Sequence, residues 1–407
     1  MKTRTKALFV TRHNNDFDSM APVADGWAKL SDEHHGHLFV ASPELAWKGD
    51  HRTAMLSRRP GVEISDLWDM AGIGGGWLER NWLRTGAGNK IRRKLLQIAT
   101  ERAIARGFDA RMTAWLDDWR PDVIAFDWYN PPTQRKRFGY FGYQAIMAWA
   151  RTNHVPIVSL PHGLLLFDPP GGVPFLPGPV FAATFVESQR RKQTLVAAGA
   201  QGQDILVAGA PRYDPAWVER VVAELGGNTG ESGISDDRVA IVFFATKRVY
   251  DFDFDGLMTW LGRLAAHEKV DLVIQPHPRG QREATFAALA RLPNVTVDAK
   301  TPASLLIDRA QIVSTLVSSV MVEAVVRGRE ILYPGFVNTV ATRFEEKGAC
   351  IALARMEDTH AAIDAFIAGK RVPRENYETF LSEAVYGGGS PDTIARICTK
   401  MTEIAGR

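Results

Sequence analysis

VDLVIQPHP, residues 270–278, is an apolar run stopped by two prolines, and STLVSSVMVEAVVRGREILYP, residues 314–334, opens with small hydroxyl residues before a helical pattern and a second apolar run. Four of the five residues before Gln275 are apolar, which suits a strand buried on both faces, and Pro276 and Pro278 cannot continue its ladder. His277 is therefore held at a strand's carboxyl end. In the later stretch Ser314, Thr315, Ser318 and Ser319 precede or cap a helix whose apolar side continues through Val322, Ala324 and Val325. Two strand ends, one with an imidazole and one with hydroxyls at a helix start, describe the crevice of an open α/β sheet in which an anionic ligand sits.

Around these stretches the chain repeats strand and helix. KALFV at 6–10, HLFVAS at 37–42, VEISDLW at 62–68, PDVIAFDWYN at 121–130, VPIVSLPHG at 155–163, ATFVES at 183–188 and DILVAGAPRYDP at 204–215 read as strands with helical segments between most of them. That is the pattern of a parallel sheet covered on both faces. A polar run without periodicity, GNTGESGISDD at 227–237, is the best linker. VAIVFFAT at 239–246 then opens a second α/β unit that continues through VDLVIQPHP, NVTVDA at 294–299, QIVSTL at 311–316 and REILYPG at 329–335. The expected organisation is a first domain at 1–212, a helix and linker at 213–238, a second domain at 239–385, and a helix at 386–407 that packs back on the first domain. At 407 residues the chain exceeds what one growing core accommodates, in keeping with two domains.

Charge and cysteine content narrow the function classes. Lys plus Arg is 49 against Asp plus Glu 46, a formal charge of +3, too small an excess to argue for nucleic acid. Two cysteines form neither a metal motif nor a disulfide scaffold and point to a reducing cytoplasm. The start, MKTRTKALFV, reads as a first strand rather than a signal peptide, and no apolar run is long enough to span a membrane. The acids of DFDFD at 251–255 lack a partner cluster, so no metal site is expected.

Together, PHG at 161–163, VAGAPRYD at 207–214, QPHP at 275–278 and STLVSSVMVEAVVRG at 314–328 resemble the GT-B glycosyltransferase architecture, two Rossmann-like domains facing a cleft. More narrowly they resemble the bacterial surface-polysaccharide enzymes that include CDP-glycerol glycerophosphotransferases, capsule sialyltransferases and Kdo transferases. The resemblance implies metal-independent transfer of a glycosyl or polyol-phosphate group, without a cofactor, to a cell-surface polysaccharide or its lipid-linked precursor. The donor it implies is CMP- or CDP-linked, with a UDP-linked donor as second choice. It places His277, Ser318 and Ser319 on the donor phosphates, Glu323 on the ribose, and His162 as a base on the acceptor side. The paired-acid Gly motif of the sialyltransferases is missing, since ADG at 24–26 carries one acid. A nucleotide-sugar 2-epimerase and a non-catalytic nucleotide-sugar-binding protein are the alternatives.

The residues themselves leave several roles open. Asp16 and Asp127 are alternative carboxylate bases on the crevice side of the first domain, and Arg212, Lys247 and Arg248 are cations at its rim that could neutralise leaving-group charge. Glu323 could instead pair with Arg327 four residues on. Basic residues interleaved with aromatics, Trp77 and Trp82 with Arg80, Arg84 and Arg92–Lys94, and Arg135–Arg137 beside Phe138, Tyr140, Phe141 and Tyr143, suit peripheral contact with an anionic inner-membrane surface or a glycan.

Overall fold

The computed structural model describes residues 4–12, 15–41, 47–71, 107–127, 140–167, 176, 178, 180–227, 238–246, 252–277, 283–338 and 340–406. Thirteen strands form two sheets among them. β1 (Thr5–Thr11), β2 (His34–Val40), β3 (Val62–Asp66), β4 (Val123–Phe126), β5 (Ile157–Ser159), β6 (Ala183–Val186) and β7 (Ile205–Val207) make the first, in the order β3-β2-β1-β4-β5-β6-β7. β8 (Val239–Phe244), β9 (Val270–Gln275), β10 (Val295–Val297), β11 (Ile312–Ser314), β12 (Glu330–Tyr333) and β13 (Ile351–Ala352) make the second, in the order β10-β9-β8-β11-β12-β13. Neighbouring strands are parallel in both sheets.

Continuous apolar runs serve here because the central strands feed two cores. Ala7 and Phe9 of β1 enter one core with Trp27, while the alternate Leu8 and Val10 enter another with Phe108 and Tyr143. In β8, Val242 and Phe244 face one core and Ile241 and Phe243 the other. The alternation is the period of two of a pleated strand with both faces covered by helices.

The helix Thr393–Ala405 closes the first sheet's core. Its Ile397, Cys398, Met401 and Ile404 pack with residues of the helix Phe17–Lys29. Contact is close at Gly26, where an added Cβ would lie 2.1 Å from Ile394 Cγ2. A side chain at position 26 is therefore excluded by packing.

Several contacts join the two halves. Leu166, Ala210 and Tyr213 belong to the same core as Val320, Phe344 and Tyr386. The backbone N–H of Arg343 donates to the Leu166 carbonyl at 2.8 Å, and that of Ala210 to the Val385 carbonyl at 2.8 Å. The hydroxyl of Tyr213 donates to the Ser319 carbonyl at 3.0 Å. Leu166 follows the carboxyl end of β5 and Ser319 that of β11, so these bonds bring the carboxyl edges of the two sheets together.

The first helix runs from Phe17 to Lys29. Ser319 stands at the N-cap of the helix Val320–Val326 but makes no side-chain cap bond, and only Ser318 Oγ accepts from the Val320 N–H, at 3.4 Å. With seven residues that helix offers an anion a weak dipole. The hydroxyls and His277 must carry any phosphate binding.

Candidate active site

In each sheet one strand pairs with a later strand on one side and the next in sequence on the other, and the crevice beyond that point is where an open α/β sheet receives a ligand. In the first sheet it lies between β1 and β4. Arg12 follows β1 and Asp127 follows β4 directly. The guanidinium of Arg12 donates to Asp127 Oδ2 at 2.9 Å, and the phenol of Tyr143 donates to Asp127 Oδ1 at 3.0 Å. Asp127 is fully buried. Each of its oxygens therefore has a donor, which is what a buried carboxylate requires.

Asp16 completes the loop after β1. It occupies the N-cap position of the helix Phe17–Lys29, yet makes no side-chain cap bond there. Its Oδ2 instead accepts from the backbone N–H of Arg12 at 2.6 Å. Burial works against the Arg12 cation, but Tyr143, Asp127 and Asp16 outweigh it and raise the guanidinium pKa above its ordinary value. Burial first, then the two carboxylates, push the Tyr143 phenol far up, so it stays a donor.

His162 reaches this group from the segment after β5. Its Nδ1 lies 3.9 Å from Asp127 Oδ2, and its side chain is 40% exposed. The segment is pinned on both sides: Ser19 Oγ donates to the Pro161 carbonyl at 2.5 Å, and the Leu165 N–H donates to Glu187 Oε1 at 3.1 Å. Gly163 turns the chain with φ +73°, a conformation that disfavours a side chain. Ligand atoms of Asp16, Asp127 and His162 all lie within 4.8 Å of one another, a spacing that could hold a cation. Arg12 already supplies a positive charge at Asp127.

In the second sheet the corresponding point lies between β8 and β11. Thr246 and Thr315, just beyond the two strand ends, place their hydroxyls 3.4 Å apart. Ser314 Oγ is buried within β11 and makes no hydrogen bond among the described residues, so of the four hydroxyl residues the half-buried Ser318 and Ser319 are the accessible pair. His277 lies half-buried two residues beyond β9. Lys247 and Arg248 fall outside the described residues, as do the basic aromatic stretches at 77–94 and 135–138. Asp253 of DFDFD caps the helix Phe254–Ala265, accepting from the Gly256 N–H at 2.9 Å.

A second charged group gathers on the first helix. Arg52 and Arg212 both pair with Asp18, the Arg212 contact at 2.5 Å. Burial opposes the Arg212 cation, but Asp18, Tyr213 and Glu323 overcome it and raise its pKa. Glu323 is buried, and the alternative pair with Arg327 does not form, because Arg327 pairs with Asp308. Sequence reasoning missed Arg12, Tyr143 and Asp18. For Arg12 the signal was its place as the first residue past a central strand, and for Tyr143 a phenol on an otherwise apolar helix face, which needs a partner when buried.

The sequence matches no family model and no curated protein. Solved structures do share its fold. The UDP-GlcNAc 2-epimerase of Methanocaldococcus jannaschii is 11% identical with a TM-score of 0.61, covering 98% of this chain and 100% of that one. The Neisseria meningitidis enzyme, solved with UDP-GlcNAc, is 14% identical with a TM-score of 0.57, covering 98% and 99%. A glycosyltransferase from Rickettsia africae is 10% identical with a TM-score of 0.53, covering 99% of both chains. The fold is therefore GT-B-like along the whole chain. The transfer reading is corrected: many of the structures that match the whole chain are UDP-GlcNAc 2-epimerases, which favours the epimerase alternative over transfer. The expected cytidine donor likewise has no support, since the neighbours solved with a nucleotide hold UDP-GlcNAc or UDP. No helix among the described residues is long and apolar enough to cross a membrane.

Proposed function

We propose that this protein is a nucleotide-sugar 2-epimerase acting on a UDP-linked 2-acetamido sugar, without cofactor or acceptor. One observation carries the reading: Asp16, Asp127 and His162 converge at the first sheet's crevice, where the half-buried Arg12 pairs with Asp127, and the second sheet's crevice carries hydroxyls. C2 of such a sugar has no neighbouring carbonyl, so its hydrogen is not acidic by itself. It becomes removable if the C1–O bond breaks as the proton leaves. The C2–H electron pair becomes the C1=C2 π bond, and the C1–O pair departs with UDP. Returning the proton to the opposite face of C2 while a UDP oxygen re-forms the bond to C1 gives the epimer, and the cycle balances.

That sequence needs proton-transfer groups on two faces of the sugar and fixed donors on the diphosphate. We assign the first task to His162 and to the Asp127 and Asp16 carboxylates, and the second to His277, Ser318 and Ser319, with Arg212 as the neighbouring cation and Glu323 on the ribose side. On this reading residues 1–212 carry the proton chemistry and residues 239–385 the nucleotide. An epimerase needs no lipid-linked glycan, so the basic aromatic stretches are given no part in it. The test is incubation with UDP-GlcNAc in D2O, without acceptor, followed by proton NMR. Deuterium entering C2 together with a manno-configured product is expected. Retention of the C2 proton with UDP-, CDP- and CMP-linked sugars alike would overturn the reading.

A further inference from the structure

We propose that the cavity between the end of the helix His51–Ser57 and the helix Pro215–Glu224 binds a phosphate-type dianion, free or as the end of a phosphomonoester. The cavity has a volume of about 420 Å3 and is lined by Met55, Arg58, Arg59, Arg220, Ala223 and Glu224. It lies by the amino end of β3, away from the carboxyl edge that holds Arg12 and Asp127.

Two features point to an anion. The first is charge. Buried Asp25 is shared by Arg59 (2.8 Å), Lys29 (2.7 Å) and Arg220, while Glu224 pairs with Arg58. Four cations thus meet two carboxylates, an excess of two positive charges that matches a dianion. The second is unspent donors. Arg59 uses only Nε, for Asp25, and Arg58 only Nη2, for Glu224. Nη1 and Nη2 of Arg59, and Nε and Nη1 of Arg58, make no hydrogen bond among the described residues. The two side chains are 29% and 60% exposed, so these N–H groups remain accessible. Guanidinium forks that line one cavity with spare N–H groups suit the oxygens of a phosphoryl group. Asp25 and Glu224 act as the brackets that hold the arginines in place.

Calorimetric titration of the full chain with inorganic phosphate, at ionic strength fixed with chloride, tests this. Saturable binding is expected, weakened about tenfold or more by Arg58→Gln with Arg59→Gln and unchanged in His277→Ala, which separates this cavity from the proposed nucleotide crevice. Because Arg59 also grips Asp25, Arg58→Gln alone is the second variant; its exposed side chain can be changed without disturbing the fold, and it too should weaken phosphate. Glycerol phosphate binding more tightly than phosphate would identify the phosphomonoester as the occupant, and the reverse the free ion. Affinity that survives both arginine variants, or disappears in His277→Ala, would overturn the site.

Discussion

At the carboxyl ends of β1 and β4 the first sheet carries Arg12 and Asp127, with His162 beside them; at the equivalent ends of β8 and β11 the second carries Thr246 and Thr315. The topological position is the same and the chemistry is opposite. One crevice gathers charged groups around a buried carboxylate, and the other presents hydroxyls among its described residues. On the proposed reading, proton transfer belongs to the first. On the same reading the diphosphate belongs to the second, where Ser318 and Ser319 are accessible. Glu323, the acid on that side, adds to the field that raises the Arg212 pKa.

The contrast makes predictions that can break it. The largest effect is expected from Asp127→Asn, which preserves shape but removes the carboxylate: turnover should fall by about 10²–10⁴, with UDP affinity nearly unchanged by calorimetry. An equal loss of both would erase the division between the crevices. Next comes stability. Arg12→Met leaves Asp127 as a buried charge without its cation and should cost about 3–5 kcal/mol in urea unfolding, whereas Thr315→Val, which removes one neutral hydroxyl, should cost about 1 kcal/mol. Similar costs would mean that the first crevice is no more strongly bound by charge than the second.

Smaller effects sharpen it. Ser318→Ala with Ser319→Ala should weaken UDP about tenfold while leaving turnover at saturation close to wild type; a turnover loss with unchanged affinity would place the serines on the reacting sugar instead. The mildest test is pH. Burial would raise the pKa of Asp25, but hydrogen bonds from Arg220 and Lys29 overcome it and hold it below the ordinary aspartate value. The stability it supplies is therefore complete above that ordinary value and is lost as pH falls through the depressed folded value. Thermal unfolding of Asp25→Asn should be less stable near neutrality and show a shallower acid decline than wild type. An identical acid slope would remove Asp25 from the account.

Much of this was legible because the central strands are buried on both faces. Such runs stand out as unbroken apolar stretches, and turn residues such as those of PHG and QPHP mark where they end. β13 was not legible: two residues, Ile351 and Ala352, carry no period. The site was half legible. Asp16, Asp127, His162 and His277 could be picked as polar residues at strand ends. The role of Arg12 depends on β4 lying next to β1, a pairing across more than a hundred residues that no local pattern records. The same holds for Glu323, whose sequence spacing suggests Arg327 although that arginine pairs with Asp308 of another helix.

The packing of Thr393–Ala405 on the helix Phe17–Lys29 also bears on the order of events during synthesis. Residues 5–207 supply every strand of the first sheet, yet Ile397, Met401 and Ile404, which cover Met20, Val23 and Trp27, leave the ribosome only after the entire second sheet has been made. The first half to emerge is thus the last to be sealed. Until then an apolar helix face waits exposed, the kind of surface that chaperones hold and that partners wrongly. Folding of this chain should accordingly finish by a long-range docking step, slow relative to the growth of either sheet.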